Sequence, residues 1–460
     1  MNDSRQIDSA PNHTLRLPVE ILQFIFEQAT LCLFDDHPFE HRKSLDNSRI
    51  TLSSVCSWWR KVVINHHRLW ASISYEENGA PKSLEWIRLC LRRSGRHDLH
   101  LAIYFPVDYR DAFTISLPIQ DRNPAIGRLV SFLDTVEDDM DRVRRFSVCA
   151  CYPAYLHQLI IPNVRLPNLR RLLLTSLREP RTAIDAMMLG GLDQLELRVP
   201  TMQRTALASL LARCPSLRHL SLLTRAKPTE CLLGGSALPA LHVPHLQSLC
   251  LRGCVLPAYA FHAPELKRLL VSPDLEWWKT DHHHEEVAVR HFPQLRELVV
   301  EAWCHDVTYL EPSIRLIRAH PDISSLTLHG HSACDLLRNA FQPTPNTHTT
   351  IRPSMSEATA PKVSTRWKLQ VPTALRSLVV NSLVGFNDIM LVDTLRHMLL
   401  ASDMLHVTFL IRFGWENSAR DYTYNAGDYS DYVALLTEFP WRFCMDAFAL
   451  PLAGSFLECR

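Results

Sequence analysis

The apolar residues of this chain fall into a recurring cadence, Leu-x-x-Leu-x-Leu, usually opened by a Pro two residues before its first Leu. It reads P-N-L-R-R-L-L-L at 167–174, C-P-S-L-R-H-L-S-L at 214–222, V-P-H-L-Q-S-L-C-L at 243–251 and A-P-E-L-K-R-L-L-V at 263–271. It continues as F-P-Q-L-R-E-L-V-V at 292–300 and H-P-D-I-S-S-L-T-L at 320–328, with weaker copies at 141–148, 191–197, 373–380 and 404–409. The alternation within each copy predicts a short strand. Between copies lie helical pieces such as T-A-L-A-S-L-L-A-R at 205–213 and P-S-I-R-L-I-R-A at 312–319, whose apolar faces are expected to cover one side of the strands.

With the Pro position as phase mark, successive copies start 20 to 29 residues apart, until a final step of 52. That period and core resemble leucine-rich repeats. The resemblance implies an α/β solenoid, with a curved parallel sheet inside and helices and loops outside, in which the Leu, Ile and Val of each unit stack on those of the next. An ordinary parallel α/β sheet with Leu-rich strands is the competing architecture. The long step contains residues 341–368, rich in Thr, Pro and Ser and nearly free of large apolar side chains, which is expected to be a mobile insertion. From about 409 an aromatic-rich segment, including F-P-W-R-F-C-M-D-A-F-A-L, is expected to cover the C-terminal end.

The first 13 residues are polar and expected to be disordered. In L-R-L-P-V-E-I-L-Q-F-I-F-E-Q-A, Ile21, Leu22, Ile25, Phe26 and Ala29 recur at helical spacing, and Pro18 suits the first turn. A charged stretch over 35–49 leads to a second predicted helix over 50–64, with Asn47 or Ser48 as its cap and Leu52, Val55, Cys56, Trp59, Val62 and Val63 as its apolar stripe. Leu69, Trp70 and Ile73 add a third bulky contact. Residues 76–140 read as a joint and first irregular repeat. It holds a helix near 84–94 stopped by Gly95, a strand over 99–105 and a short helix over 129–140. The repeats proper occupy 141–460.

Leu-Pro-x-Glu-Ile-Leu-x-x-Ile-Phe at 17–26, Leu-x-x-Val-Cys-x-x-Trp-Arg at 52–60 and Leu-Trp at 69–70 resemble the F-box family. The resemblance implies a small all-helical F-box-like module, over residues 14–75, that docks on the Skp-type linker of a cullin–RING ubiquitin ligase. By the same resemblance, linker binding falls to Leu17, Pro18, Ile21, Leu22, Val55, Cys56, Trp59 and Trp70, some as core and some as contacts. An F-box followed by such repeats is common in fungal proteins, including mushroom-type ones whose first repeat ends in a segment similar to R-R-S-G at 92–95. The other reading of these helices is a cap over the open end of the solenoid. Trp58 and Trp59 bear on the choice, because adjacent helical residues point about 100° apart and imply two apolar surfaces.

Composition narrows the function. Lys+Arg 49 against Asp+Glu 48 gives no basic excess for a nucleic-acid partner. Thirteen Cys without a CxxC pair favour reduced, buried thiols over disulfides or structural zinc. No signal-peptide run and no membrane-length apolar stretch occurs, so a cytoplasmic or nuclear location is expected. No cofactor motif, nucleophile elbow or phosphate loop is present, and no enzyme activity is expected. The D-H-H-H-E-E run at 281–286 raises a metal-binding alternative, but its adjacent histidines lack ligand spacing and suit a solvated loop better.

On each repeat strand the residues between inward leucines should line the concave face, where an unknown target protein is expected to bind. Arg171, Arg198, His219, Arg252, Arg268, Glu297, Glu301 and His329 stand at such positions, with aliphatics such as Leu173 and Val299 among them. The arginines suit an acidic or phosphorylated segment. Equally, Glu196, Glu297 and Glu301 can neutralise them. A leucine-rich-repeat scaffold or receptor, with the N-terminal helices only capping it, is the remaining alternative to the adaptor.

Overall fold

In a computed structural model of the chain, each Pro of the cadence sits second in a tight turn that delivers the backbone into a strand. The turns close through Leu169 N to Leu166 O (3.3 Å), Leu217 N to Cys214 O (3.1 Å), Leu246 N to Val243 O (3.2 Å), Leu266 N to Ala263 O (3.2 Å) and Leu295 N to Phe292 O (3.1 Å). Proline fits there because its φ is already set and its missing donor is not needed. In the copy at 191–197, which lacks the Pro, Gly190 and Gly191 take the turn, closed by Leu192 N to Leu189 O at 3.0 Å.

The structure describes residues 17–36, 42–76, 84–104, 123–150, 165–176, 189–199, 204–223, 240–253, 261–272, 292–302, 310–330, 332–341, 374–382, 395–396, 398–400, 405–412, 437–439 and 443–448. The proposed insertion at 341–368, apart from Phe341, and the 281–286 run lie outside them, as do the first 13 residues. The chain forms two compact units, Met1–Leu217 and Arg218–Arg460.

The first unit opens with α1 (Val19–Asp36), α2 (Arg42–Val55), α3 (Ser57–Asn65) and α4 (His67–Trp70). There follow β1 (Ser72–Glu76), α5 (Leu84–Ser94), β2 (Leu99–Tyr104), α6 (Asn123–Val136), a 3-10 turn over Glu137–Arg142 and β3 (Val143–Ala150). The unit ends with β4 (Arg171–Ser176), β5 (Gln194–Arg198) and α7 (Arg204–Ala212). Strands β1 to β5 lie side by side in chain order, every pair parallel. Gly95, at φ 58°, ends α5 in the left-handed conformation that a side chain would resist.

The second unit holds β6 (His219–Leu223), β7 (Leu241–His242), β8 (Ser248–Arg252), β9 (Phe261–His262), β10 (Arg268–Ser272) and β11 (Glu297–Glu301). It continues with α8 (Glu311–Arg318), β12 (Ser325–His329), α9 (Ala333–Phe341), β13 (Ser377–Ser382), β14 (His406–Arg412) and β15 (Phe443–Phe448). The sheet order is β6-β8-β10-β11-β12-β13-β14-β15, all parallel, while β7 and β9 form a separate short ladder. Parallel strands with helices between them are what a repeat α/β solenoid requires. The leucines occupy equivalent rungs: Leu220, Leu249, Leu269, Leu298, Leu326 and Leu378 are all buried and in register.

One device recurs at the strand entries. The carbonyl of Arg218 accepts the amides of both Gln247 and Ser248, that of Gln247 accepts Lys267 and Arg268, and that of Lys267 accepts Arg296 and Glu297. Arg296 O does the same for Ser324 and Ser325, Ser324 O for Arg376 and Ser377, and, in the first unit, Arg170 O for Asp193 and Gln194. A carbonyl has two lone pairs, so each rung satisfies two donors of the next.

Several sequence expectations are corrected. The predicted helix over 50–64 is two helices broken at Cys56, whose extended backbone (φ −157°, ψ 170°) caps α3 while its Sγ accepts from Trp59 N at 3.4 Å. The charged stretch before it is largely helical, and Asn47 and Ser48 lie inside α2 rather than capping it. Arg49 explains why: its side chain is buried, donating to Ser72 O at 2.7 Å beside the Trp70 ring, and the helical backbone carries it there. Residues 443–448, within the segment expected to cover the C-terminal end, form a further parallel strand beside β14, which leaves that expectation standing.

Candidate protein-interaction site

Helix α1 is apolar on two faces. Leu22, Phe26 and Thr30 point inward and are buried, and Phe26 meets Trp59 with ring centroids 4.9 Å apart. Leu17, just before the helix, and Ile21, Phe24 and Ile25, at helical spacing on it, point outward with 37%, 46%, 59% and 43% exposure. On α2, Ile50 and Val55 are exposed as well. Among the described residues, the only other exposed large hydrophobic is Leu400, so exposed apolar surface is concentrated in the helical module.

The carried-over linker residues divide accordingly. Leu17, Pro18, Ile21 and Val55 are on the surface, and the Pro18 carbonyl accepts from Ile21 N and Leu22 N to start α1. Leu22 and Trp70 are core. Trp70 Nε1 donates to Val63 O at 2.8 Å, the Arg93 guanidinium lies 4.4 Å from the Trp70 ring centre, and Trp86 meets the ring edge-on. Cys56 and Trp59 are half-buried, one as a cap and the other against Phe26. Phe24 and Ile50 lie outside the motif match, and Ile25, though inside it, was not carried over as a linker residue; the signal for Phe24 was an apolar side chain off the stripe of a helix that already had one.

Glu27 ties the helices together, with Oε1 2.9 Å from His66 Nε2 and Oε2 3.0 Å from Arg68 Nη1. Burial lowers the His66 pKa below its ordinary value, with Glu27 pulling the other way and Arg68 adding to the fall.

On the strand face, every arginine expected to meet a target has a carboxylate beside it. In the first unit Arg198 lies 2.8 Å from Glu196, and Arg171 approaches the other oxygen of that carboxylate at 4.0 Å. In the second unit Arg268 on β10 meets Glu297 on β11 at 3.2 Å. Arg252 on β8 reaches Glu301 on β11 at 2.6 Å, beyond the intervening β10. Partly exposed pairs of this sort contribute little stability, roughly 0–1 kcal/mol each, but they cancel charge. His219 and His329 stand on β6 and β12, with β8, β10 and β11 between, and do not come together. Leu173 and Val299 are buried, not exposed as expected for a lining column. Paired strands flank each one in register at a spacing of about 4.8 Å, close enough for neighbouring side chains to cover an aliphatic.

Cys214 is packed. It is 1% exposed, donates to Leu210 O at 3.3 Å, and burial pushes its pKa up to about 11. Among the described residues no group of three His, Cys, Asp or Glu could hold a metal ion, and no helix is long and apolar enough to cross a membrane.

No curated protein matches this chain. Residues 140–308 match a family described as FBD-associated F-box protein At5g56370, LRR repeats. With the parallel rungs and their period, that similarity supports a general reading of the chain as a leucine-rich-repeat, F-box-like scaffold for protein–protein interaction.

Proposed function

We propose that the chain is a substrate-recognition adaptor of a cullin–RING ubiquitin ligase, working in the cytoplasm or nucleus. Its helical module docks on the Skp-type linker, and the exposed strand faces of its repeats hold the protein to be ubiquitinated. It catalyses nothing itself and contributes effective concentration, keeping target lysines near a ubiquitin-charged enzyme. The observation that carries this reading is the outward apolar stripe of Leu17, Ile21, Phe24 and Ile25 on the segment that carries the F-box-like motif. An apolar patch rimmed by polar residues is the ordinary mark of a docking surface. The R-R-S-G segment adds the mushroom-type resemblance as a finer reading.

The capping alternative has its own support. Arg49 bonds to Ser72 on β1 and Trp70 packs against Trp86 of α5, so the module's core is continuous with the first strands. A cap needs those inner contacts and leaves the outer stripe without a role. Co-expression with a Skp-type linker tests the choice. The wild-type chain should co-purify with the linker, and Ile21→Asp/Ile25→Asp should abolish this while leaving the thermal midpoint within a few degrees. Failure of the wild type to co-purify leaves the capped scaffold.

A further inference from the structure

Two histidines stand side by side on the short ladder of the second unit. His242 on β7 and His262 on β9 each lie two residues before the Pro of their copy, Pro244 and Pro264, and the parallel register sets them directly opposite one another. Their neighbours Leu241 and Phe261 are buried and paired in the same ladder, and Val243 N donates to His262 O at 3.0 Å. The backbone on both sides of the pair is thus held in place, while strand alternation sends both imidazoles to the exposed side. Their ring centroids are 5.0 Å apart and the ring planes tilt by 59°.

Other imidazoles of the chain have visible partners: His66 meets Glu27, His67 the Arg93 carbonyl, His245 the Glu265 carboxylate and His320 two backbone groups. Among the described residues, the side chains of His242 and His262 have only each other. A tilted ring contact in open solvent contributes little by itself. The spacing is also that of a chelate. Two imidazoles that share one ion at an N–metal distance of about 2.0–2.1 Å, with roughly 100° between the two bonds, put their ring centres about 5 Å apart.

We propose that His242 and His262 clamp one divalent ion of the zinc class between neighbouring rungs. Neutral imidazole suits zinc and its first-row neighbours, whereas Mg2+ and Ca2+ want oxygen ligands. Once one ring holds the ion, the other is already at hand, because the ladder keeps both backbones in register; the second bond forms at high effective concentration. No third His, Cys, Asp or Glu among the described residues completes a metal-ligand group with the pair. The other coordination positions therefore stay open to water, as in an exchangeable site rather than a closed structural zinc. The clamp uses none of the histidines of the 281–286 run, and it stands or falls independently of the adaptor reading.

The test modifies the native full chain with diethylpyrocarbonate and reads each histidine peptide by peptide, with and without micromolar Zn2+. Zn2+ should slow modification of both His242 and His262 at least tenfold and leave the exposed His406 on β14 within twofold. Millimolar Mg2+ should protect neither. In His262→Ala, Zn2+ should no longer protect His242, and in His242→Ala it should no longer protect His262, since a single imidazole holds the ion poorly. Both side chains are exposed, so these variants should keep the wild-type thermal midpoint. The inference is overturned if Zn2+ leaves either histidine of the wild type fully reactive, if Mg2+ protects as well as Zn2+, if His406 is protected to the same degree, or if one histidine stays protected once the other is alanine.

Discussion

His320 Nε2 accepts the backbone amide of Phe292 at 3.1 Å, while its Nδ1 lies 2.8 Å from Leu316 O and its ring stacks on the Phe292 ring. Accepting at Nε2 and donating at Nδ1 defines the neutral Nδ1–H tautomer. One buried imidazole thus joins the turn entering β11 to the end of α8 and the turn entering β12. His320→Leu removes both bonds and leaves a buried amide without its acceptor. It should cost about 1–3 kcal/mol in urea unfolding, and a loss no larger than that of an exposed surface change would show the bond to be idle.

Leu220 and Leu249 are adjacent rungs with 2% and 0% exposure. Truncating either to Ala opens a cavity that neighbouring strands cannot close, and each should cost about 2–5 kcal/mol. Values below about 0.5 kcal/mol, typical of surface sites, would contradict stacked leucine rungs.

Cys214, with its pKa pushed up to about 11, has roughly one thiol in a thousand ionised at pH 8. Peptide-resolved iodoacetamide labelling of the native chain should modify Cys214 at least tenfold more slowly than the partly exposed Cys250. Similar rates would mean that the α7 end opens readily.

His66 gives the helical module a pH dependence whose sign follows from burial. Its folded pKa is lowered, so the unfolded chain takes up the proton more readily. Its contribution is complete above the unfolded value near 6.5 and is lost as pH falls from there toward the folded pKa. Melting curves from pH 7.5 to 5 should therefore show wild type losing stability relative to His66→Gln. A constant difference would place the titration elsewhere.

Charge reversal at Arg198 and Arg252 tests the strand face. Each new acid would face Glu196 or Glu301, and the double variant should capture the target at least tenfold more weakly with linker capture unchanged. Full capture would remove these arginines from the recognition surface.

The strands were legible in the sequence because two local signals agreed: alternating leucines and a Pro that pre-forms the turn before them. Cys56 was misread because hydrophobic spacing runs straight through it, and only the extended backbone and the sulfur's bond to Trp59 N reveal the break. Periodicity also marks which side chains of α1 are apolar but not which of them are covered; Ile25 and Phe26 share one predicted stripe until α3 lays Trp59 on Phe26 and leaves Ile25 exposed. The pairing of Arg252 with Glu301 lay further out of reach, since the partners are far apart in sequence and meet only through strand register.

The twice-used carbonyls at the strand entries set a rule for how such a chain can change in length. Because one oxygen holds two donors of the following rung, no rung can slide on its neighbour without stranding both together. Whole rungs can be duplicated or removed with every junction rebuilt in kind, whereas losing a few residues from one entry turn breaks two bonds at a stroke. Inherited variation in this protein is accordingly expected to come in complete multiples, lengthening or trimming the scaffold like links in a watch strap.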